Sequence, residues 1–333
     1  MAIELLSLTT ELDSYGGAQK VLMDLHESLK LSYNAKVLGL EKFENLHPKY
    51  NIQASEYKRL TNPFYLNNKI LIVHSRNVMA FIILLKYAFF LNTKILYVSH
   101  NVYYTLNWAS FFPKDIISIS EKVTENLINY FHLKKRNINL IYNGIKDEGA
   151  HNPVPSPAPL NDIIILYPAR LNAVKRQLEI IDKLSGKLLT QIKIHFAGTG
   201  PDYDELVIKC KDSQNFKALG FIDNMQNVII NSDYLMLYSI QEGLPIALIE
   251  GTMYGKPILI NDVGGNTEIG VPGFNGILLS DDWSNLAQTL NDLTSITAEK
   301  YSAMSVNSRK RYEEMFTYDT MVANYMAVIK LME

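Results

Sequence analysis

Cysteine is nearly missing: Cys210 is the one thiol in 333 residues, so no disulfide can close within the chain. With no base signal beside it, Cys210 reads as a small buried filler rather than a nucleophile. Long apolar runs are missing too. The longest, Val78–Leu91 (VMAFIILLKYAFFL), is interrupted by Lys86 and falls short of the roughly 20 residues that span a bilayer. It reads as a buried helix of an α/β domain. The opening MAIELLSLTTELDSYGG has no basic segment and carries Glu4, Glu11 and Asp13, which argues against a secretory signal and for the cytoplasm. That disfavours a sugar-binding protein of the periplasmic type. The G-x-G-x-x-G run of a nicotinamide dehydrogenase is absent. No Ser–His–Asp or Cys–His set is apparent, nor any metal-ligand spacing. His26, His47, His74, His132, His151 and His195 are scattered and read as structural or surface residues.

What is present is the balance of a globular protein, 47% hydrophobic and 20% charged, with length for two domains of about 150 residues each. The net charge of −2 conceals an asymmetry: residues 1–150 hold 17 Lys and Arg against 13 Asp and Glu, and the remainder 15 against 21. A first half at +4 suits an anionic membrane surface or a phosphorylated acceptor. Lys134-Lys135-Arg136 adds to this, or is a solvated turn.

Short β-rich runs alternate with helical stretches throughout. Strands are expected at Ile3–Thr9, Ala35–Leu40, Ile70–His74, Lys94–Ser99, Ile116–Ser120 and Asn139–Tyr142, with a helix at Gly17–Leu31. In the second half, strands are expected at Ile163–Tyr167, Gln191–Ala197, Lys217–Gly220, Tyr234–Tyr238, Pro257–Ile260 and Gly276–Leu279. Helices are expected near Arg176–Leu184, from Tyr203, and near Met225–Asn231, Ile246–Tyr254 and Trp283–Leu293. A helical tail follows, broken around Phe316–Tyr318. Several strands are continuous apolar runs, as in a parallel sheet covered on both faces. Between the halves, NPVPSPAPL puts four prolines in nine residues, which suits a linker. The expected layout is a first domain at 1–150, a linker at 151–161, a second domain at 162–310 and a terminal helix at 311–333 returning to the first domain. The fold class is α/β: two Rossmann-like, doubly wound parallel-sheet domains facing a cleft. Ligands of such sheets bind at loops leaving the strands.

Four such loops carry suitable chemistry. Tyr15-Gly16-Gly17-Ala18-Gln19-Lys20 lies between a strand and a helix, where glycine permits close backbone approach and free N–H groups favour an anion. By itself it is also an ordinary tight turn. Arg170 and Lys175 in YPARLNAVKR offer a fork and a mobile point charge to a diphosphate, or are two solvated cations. In EGLPIALIE, Glu242 sits in a loop after a strand and Glu250 near a helix start, and carboxylates accept from the paired hydroxyls of sugars and riboses. Val263-Gly264-Gly265-Asn266-Thr267-Glu268 makes a second glycine turn. Asn101–Phe112 is rich in aromatics, which suits stacking on an acceptor sugar or packing as a core helix.

Taken in order, the Gly-Gly turn, the ARL…K loop, the AGTGP turn, the LGF strand end, the E-x7-E segment, the YGKP run and the VGGN–E loop resemble the retaining GT-B-fold glycosyltransferases of family 4, the group 1 glycosyltransferases. The resemblance covers nearly the whole chain and is most specific over Tyr167–Leu279. It implies transfer of a hexose-type sugar from a nucleotide-diphosphate donor, UDP being the commoner base, without a metal or other cofactor. Glu242 is then the acid that hydrogen-bonds the transferred sugar, and Glu250 the acid that holds the ribose. Arg170 and Lys175 neutralise the diphosphate. Gly16 and Gly17 close on the donor phosphate. Gly243, Gly264, Gly265 and Asn266 contact sugar or phosphate, His100 lies near both, and Phe221 packs on the base. The donor phosphate helps to deprotonate the acceptor hydroxyl, and domain closure assembles the site.

Tyr103, Tyr104 and Trp108 are the acceptor candidates. The acceptor expected is a glycan or lipid-linked glycan of a surface polysaccharide such as lipopolysaccharide or capsule. The expected place is the cytoplasm, with peripheral association at the inner face of an anionic membrane, and nucleic acid is not an expected partner. The chain departs from the family in Gly243-Leu244-Pro245, where Phe-Gly is common, and in Gly251-Thr252, where Ala-Met is common. An epimerase or phosphorylase of the same fold, or a non-catalytic sugar-nucleotide-binding protein, is the alternative.

Overall fold

A computed structural model describes residues 3–10, 12–13, 16–105, 110–148 and 162–333. The expected linker at 151–161 and Trp108 lie outside the described residues. The chain divides into two compact units, Met1–Gly144 with Tyr318–Glu333, and Ile145–Thr317.

The first unit is built on a sheet of seven parallel strands: β1 (Glu4–Leu8), β2 (Asn34–Gly39), β3 (Tyr57–Arg59), β4 (Ile70–Val73), β5 (Lys94–Ser99), β6 (Asp115–Ser118) and β7 (Asn137–Leu140). Their order is β3-β2-β1-β4-β5-β6-β7. Such an order winds outward in both directions from β1 and β4, so a crevice opens where their C-terminal ends part. Helices α1 (Gly17–Ser32), α2 (Arg76–Ala88) and α3 (Glu121–Asn129) are the long crossovers that parallel strands require. The central strands are apolar on both sides: all four residues of β4, Ile70-Leu71-Ile72-Val73, are buried. Short 3₁₀ segments at 43–45, 48–50 and 54–56 lead into β3, which the sequence reading missed. At three residues and with two of them exposed, β3 has too little apolar pattern to announce itself.

The second unit repeats the plan with six parallel strands: β8 (Ile163–Pro168), β9 (Ile192–Ala197), β10 (Phe216–Gly220), β11 (Tyr234–Leu237), β12 (Ile258–Ile260) and β13 (Gly276–Leu278). The order β10-β9-β8-β11-β12-β13 puts its switch point between β8 and β11. Helices α4 (Gln177–Leu184), α5 (Tyr203–Cys210), α6 (Met225–Ile230), α7 (Ile246–Met253), α8 (Asn266–Ile269), α9 (Trp283–Asn291) and α10 (Ala298–Met315) cover it. Ser305 and Ser308 on α10 donate to the carbonyls of Gly255 and Lys256. Lys256 itself is buried and donates to the carbonyls of Ile230 and Ser232, which ties the end of α6 to the start of β12. Burial pushes its ammonium down to about 8.

Helix α11 (Tyr318–Met332) belongs to the first unit. Tyr318 Oη reaches the carbonyl of Asp24 at 2.5 Å and Ser28 Oγ at 2.6 Å, both on α1. Cys210 is buried at the end of α5, and burial raises its thiol to about 11, which suits a filler and not a nucleophile.

Two expectations need correction. The run Val78–Leu91 is not a buried helix: α2 buries only Val78, Met79 and Ile82, and leaves Phe81, Leu84 and Tyr87 exposed, as are Phe89 and Phe90 beyond its end. A run apolar on all sides satisfies a buried helix and a half-buried one equally, so hydropathy alone could not separate them. Nor is Asn101–Phe112 a core helix where it is described. Residues 101–105 and 110–112 have no regular structure, and Tyr104 is 71% exposed.

Candidate active site

In the second unit, the switch-point strands deliver a charged pair. The loop leaving β8 carries Arg170 and then a 3₁₀ turn at Ala173–Lys175, capped by Asn172, whose Oδ1 accepts from the Lys175 N–H at 3.2 Å. The loop leaving β11 carries Glu242. Lys175 Nζ donates to Glu242 Oε1, with 19% of the lysine side chain and 8% of the carboxylate side chain exposed. So the structure brings Lys175 and Glu242 together, half-shielded from water, across the point where ligands of such sheets bind. Arg170 is exposed on the same loop.

Two further features hold that pair in place. Tyr167, the penultimate residue of β8, is fully buried; its hydroxyl donates to the Lys175 carbonyl at 2.6 Å, shares that proton weakly with the Tyr238 carbonyl at 3.1 Å, and accepts from the Tyr238 N–H at 3.0 Å. The Ile240 N–H donates to the Val174 carbonyl at 2.8 Å. One tyrosine thus fastens the lysine loop to the glutamate loop. Burial raises its phenol well above the usual range, keeping it protonated. Beside it, Arg176 adopts a left-handed backbone (φ 56°) and lays its guanidinium over the rings of Tyr238 and Trp283, at 4.6 and 4.8 Å.

The glycine turn after β12 closes on the same place. Gly264 has φ +54°, and a Cβ there would overlap the Glu242 carbonyl. Glycine is needed for both the conformation and the close approach. Gly265 N–H donates to the Gly243 carbonyl at 2.7 Å. Asn266 begins α8 fully buried, and among the described residues its Oδ1 has no partner. Asn261 joins the ends of β12 and β11, exchanging hydrogen bonds with the Ser239 backbone at 2.8 and 3.1 Å.

Glu250 is the fifth residue of α7, past its first turn, which contains no acid. The helix-start electrostatics expected for it are therefore weak, since the dipole acts within the first turn. Phe221 follows β10 and is 55% exposed.

In the first unit, Gly16 caps α1 with an extended backbone and no side-chain hydrogen bond, and Gly17 opens the helix. Thr10 and Ser75, beyond the ends of β1 and β4, share a hydrogen bond at 2.7 Å. His74 and His100 leave adjacent strands β4 and β5. Their rings stack with centroids 5.1 Å apart and 23° between planes, and His74 Nδ1 lies 2.9 Å from His100 Nε2. Burial holds both below the ordinary imidazole range, His100 at about 4, and His100 adds to the depression of His74. Two neutral rings then share one proton, which fixes a donor and an acceptor tautomer. His74, expected as structural or surface, is buried and packs on His100, and it follows its strand directly in IVHS as His100 does in VSHN. Tyr103 is held by Asn126 through both backbone groups, at 3.0 and 2.9 Å, and lies under Arg76 at 4.1 Å. Tyr104 sits edge-on to Tyr130.

Residues 151–311 match the family described as Glycosyl transferases group 1. The matched segment lies within the second unit. The putative glycosyltransferase EpsD of Bacillus subtilis is 32% identical over 124 residues, so the chain spans about a third of EpsD's length (32%) and 36% of its own. The O-antigen biosynthesis glycosyltransferase WclY of Escherichia coli is 22% identical over 93% of both chains. Among solved structures, Anabaena HepE in complex with UDP superposes with a TM-score of 0.81 at 18% identity, over 99% of this chain and 100% of HepE. The lipopolysaccharide outer core galactosyltransferase WaaB gives 0.78 at 16% identity, over 99% and 100%. The fold of this chain is thus the GT-B fold of those structures.

Proposed function

We propose that this protein transfers a hexose-type sugar from a UDP-sugar to a hydroxyl of a lipid-linked glycan, with retention and without a metal, in the synthesis of a surface polysaccharide at the inner face of the membrane. The observation that carries this reading is the Lys175–Glu242 pair at the switch point of the second unit. UDP is the nucleotide bound by HepE. The lipid-linked acceptor is suggested by a similar Escherichia coli enzyme, UDP-Gal:alpha-D-GlcNAc-diphosphoundecaprenol alpha-1,3-galactosyltransferase, 27% identical over 34% of this chain and 30% of its own.

The chemistry follows from the charges. A diphosphate arriving at Lys175 and Arg170 competes with Glu242 for the lysine. As Lys175 turns to the phosphate, Glu242 is freed to accept from a sugar hydroxyl. The bond from the anomeric carbon to the β-phosphate oxygen breaks, and the electron pair leaves with UDP, stabilised by the two cations and by backbone N–H groups at Gly16, Gly17 and Gly264. The acceptor oxygen bonds to the same face of the anomeric carbon, and its proton passes to the departing diphosphate. His100 hydrogen-bonds the sugar or phosphate as a neutral imidazole, Glu250 holds the ribose hydroxyls and Phe221 stacks on uracil. Tyr103 and Tyr104 face the acceptor.

A thermal-shift series against UDP, GDP, ADP and TDP tests the donor site, because a ligand that binds the folded state alone must raise Tm. UDP is expected to raise it, and Glu250→Ala to abolish the rise. Indifference to all four nucleotides would sink the reading. Isomerisation of a UDP-sugar with no acceptor present would replace it with an epimerase. EDTA is expected to leave transfer unchanged.

A further inference from the structure

Residues 57–114 of the first unit contain seven Lys and Arg and no Asp or Glu. The same stretch exposes Phe64, Phe81, Leu84, Tyr87, Phe89 and Phe90. Helical spacing puts Phe81, Leu84 and Ala88 on one outward face of α2, opposite the buried Val78, Met79 and Ile82. Phe64 meets Phe89 edge-on at 5.3 Å, so the patch continues past the helix end.

Phe90 is 94% exposed and holds φ at 50°. Its N–H reaches the Tyr87 carbonyl, and the Leu91 N–H reaches the Lys86 carbonyl, in a helix-terminating turn that glycine makes without strain. A bulky residue there costs free energy on the backbone and gains no burial. Packing does not explain a phenylalanine at this point, whereas a ligand outside the chain does.

The charge beside the patch identifies that ligand. The end of α2 lies at the strand-N-terminal edge of the sheet, where Asn68 N–H meets the Asn92 carbonyl and Lys94 N–H meets the Lys69 carbonyl. Along that edge, Lys94 opens β5, Lys114 precedes β6, and Lys134, Lys135 and Arg136 precede β7, all exposed. Acids at the edge are few: Glu4 is paired with Lys69 at 2.6 Å, Asp115 accepts from Asn137, and Glu333 lies against Tyr33 and Lys94. Lys94 donates to the carbonyls of Met332 and Glu333. A second copy of the chain is a poor occupant, because an isologous contact would set cations against cations.

We propose that the outer face of α2 and the adjoining edge seat the first unit on an anionic lipid bilayer, with Phe81, Leu84, Tyr87, Phe89 and Phe90 in the interface and Lys114 and Lys134–Arg136 over lipid phosphates. Apolar insertion and basic attraction are each marginal alone and sufficient together. Helix α2 starts two residues after His74 and is 13 residues long. It therefore links the seated edge to the edge that carries the His74–His100 pair. The purpose of the seating rests on the lipid-linked-acceptor reading, but its test needs no turnover.

The test is co-sedimentation of the full chain with vesicles of phosphatidylcholine alone and of phosphatidylcholine and phosphatidylglycerol in a three-to-one ratio. Wild type is expected to pellet with the anionic vesicles and to be released by salt. Leu84→Ser with Phe89→Ser and Phe90→Gly is expected to lower the partition at least tenfold at unchanged or raised Tm. Lys134→Glu with Lys135→Glu and Arg136→Glu is expected to abolish both the binding and its salt dependence. Wild type left in the supernatant, equal pelleting with neutral vesicles, or variants that bind like wild type would each overturn the proposal. So would a dimer dissolved by Phe90→Gly. A UDP-induced Tm rise retained in the variants separates the seating from the donor site: losing that rise while vesicle binding persists sinks the donor reading alone.

Discussion

In the second unit, the loops leaving switch-point strands β8 and β11 meet through a cation and a carboxylate, Lys175 and Glu242. In the first, the corresponding loops leaving β1 and β4 meet through two hydroxyls, and the neighbouring loops of β4 and β5 meet through two neutral imidazoles. The strand orders are the same apart from one extra strand. What differs is the charge set at the crevice. A charged pair is suited to exchanging partners with an arriving diphosphate, because either member gains from an opposite charge. A neutral pair offers hydrogen bonds of fixed direction and little net field, which suits orienting hydroxyls. The topology says where ligands bind, and the side chains say which ligands.

The largest effect that would break this contrast is on activity. Glu242→Gln keeps the shape of the second-unit site and removes its negative charge. It is expected to lower kcat/KM by roughly 10²–10³-fold, the usual scale for losing one preorganised electrostatic contact. The matching change in the first unit, His74→Asn, acts only through the orientation of His100 and is expected to cost about tenfold or less. Steady-state kinetics on both variants checks the ranking. Equal losses would mean that the two crevices contribute alike.

A second effect separates the units by pH. In the folded protein both imidazoles lie below their unfolded value of about 6.5, with His100 at about 4. Between those values the unfolded chain binds more protons, so stability is complete above about pH 6.5 and is lost as pH falls toward 4. Denaturant midpoints of wild type and His74→Asn/His100→Asn, measured on both sides of that window, isolate the contribution from the carboxylates. A difference between the two proteins that does not change with pH would show the imidazoles to be solvated.

Far more of the second unit than of the first was legible in sequence, and the residues show why. Strands such as Ile258–Ile260 and Tyr234–Leu237 are fully buried apolar runs, and the glycines between them answer to backbone demands, as at Gly264, which no other residue meets without strain. Those demands leave fixed marks on a sequence. Lys175 and Glu242 were separately visible, but their contact is 67 residues long-range and nothing local announces it. Tyr167 was passed over because a tyrosine ending a strand looks like core, and only its hydroxyl partners reveal its task. In the first unit, β3 was too short to show a period, and the partial burial of α2 depends on which face the sheet covers, which hydropathy cannot tell.

The smallest effect concerns Tyr167 and sharpens the contrast by asking how rigidly each crevice is held. In the second unit one buried hydroxyl makes three hydrogen bonds, to the Lys175 carbonyl and to both backbone groups of Tyr238. Tyr167→Phe leaves the ring packing intact and deprives those groups of a partner, at a cost of about 1–3 kcal/mol. The first unit's counterpart, the Thr10–Ser75 hydrogen bond, is only partly buried. Water can replace a lost hydroxyl there, so Ser75→Ala is expected to cost about 1 kcal/mol or less. Tyr167→Phe also loosens the turn that carries Lys175. The expected kinetic signature is a raised KM for the UDP-sugar with kcat less affected, and a smaller UDP-induced rise in Tm than in wild type. If Tyr167→Phe lowers Tm yet leaves the UDP response untouched, the hydroxyl holds the fold and not the lysine, and the charged pair keeps its geometry by its own attraction.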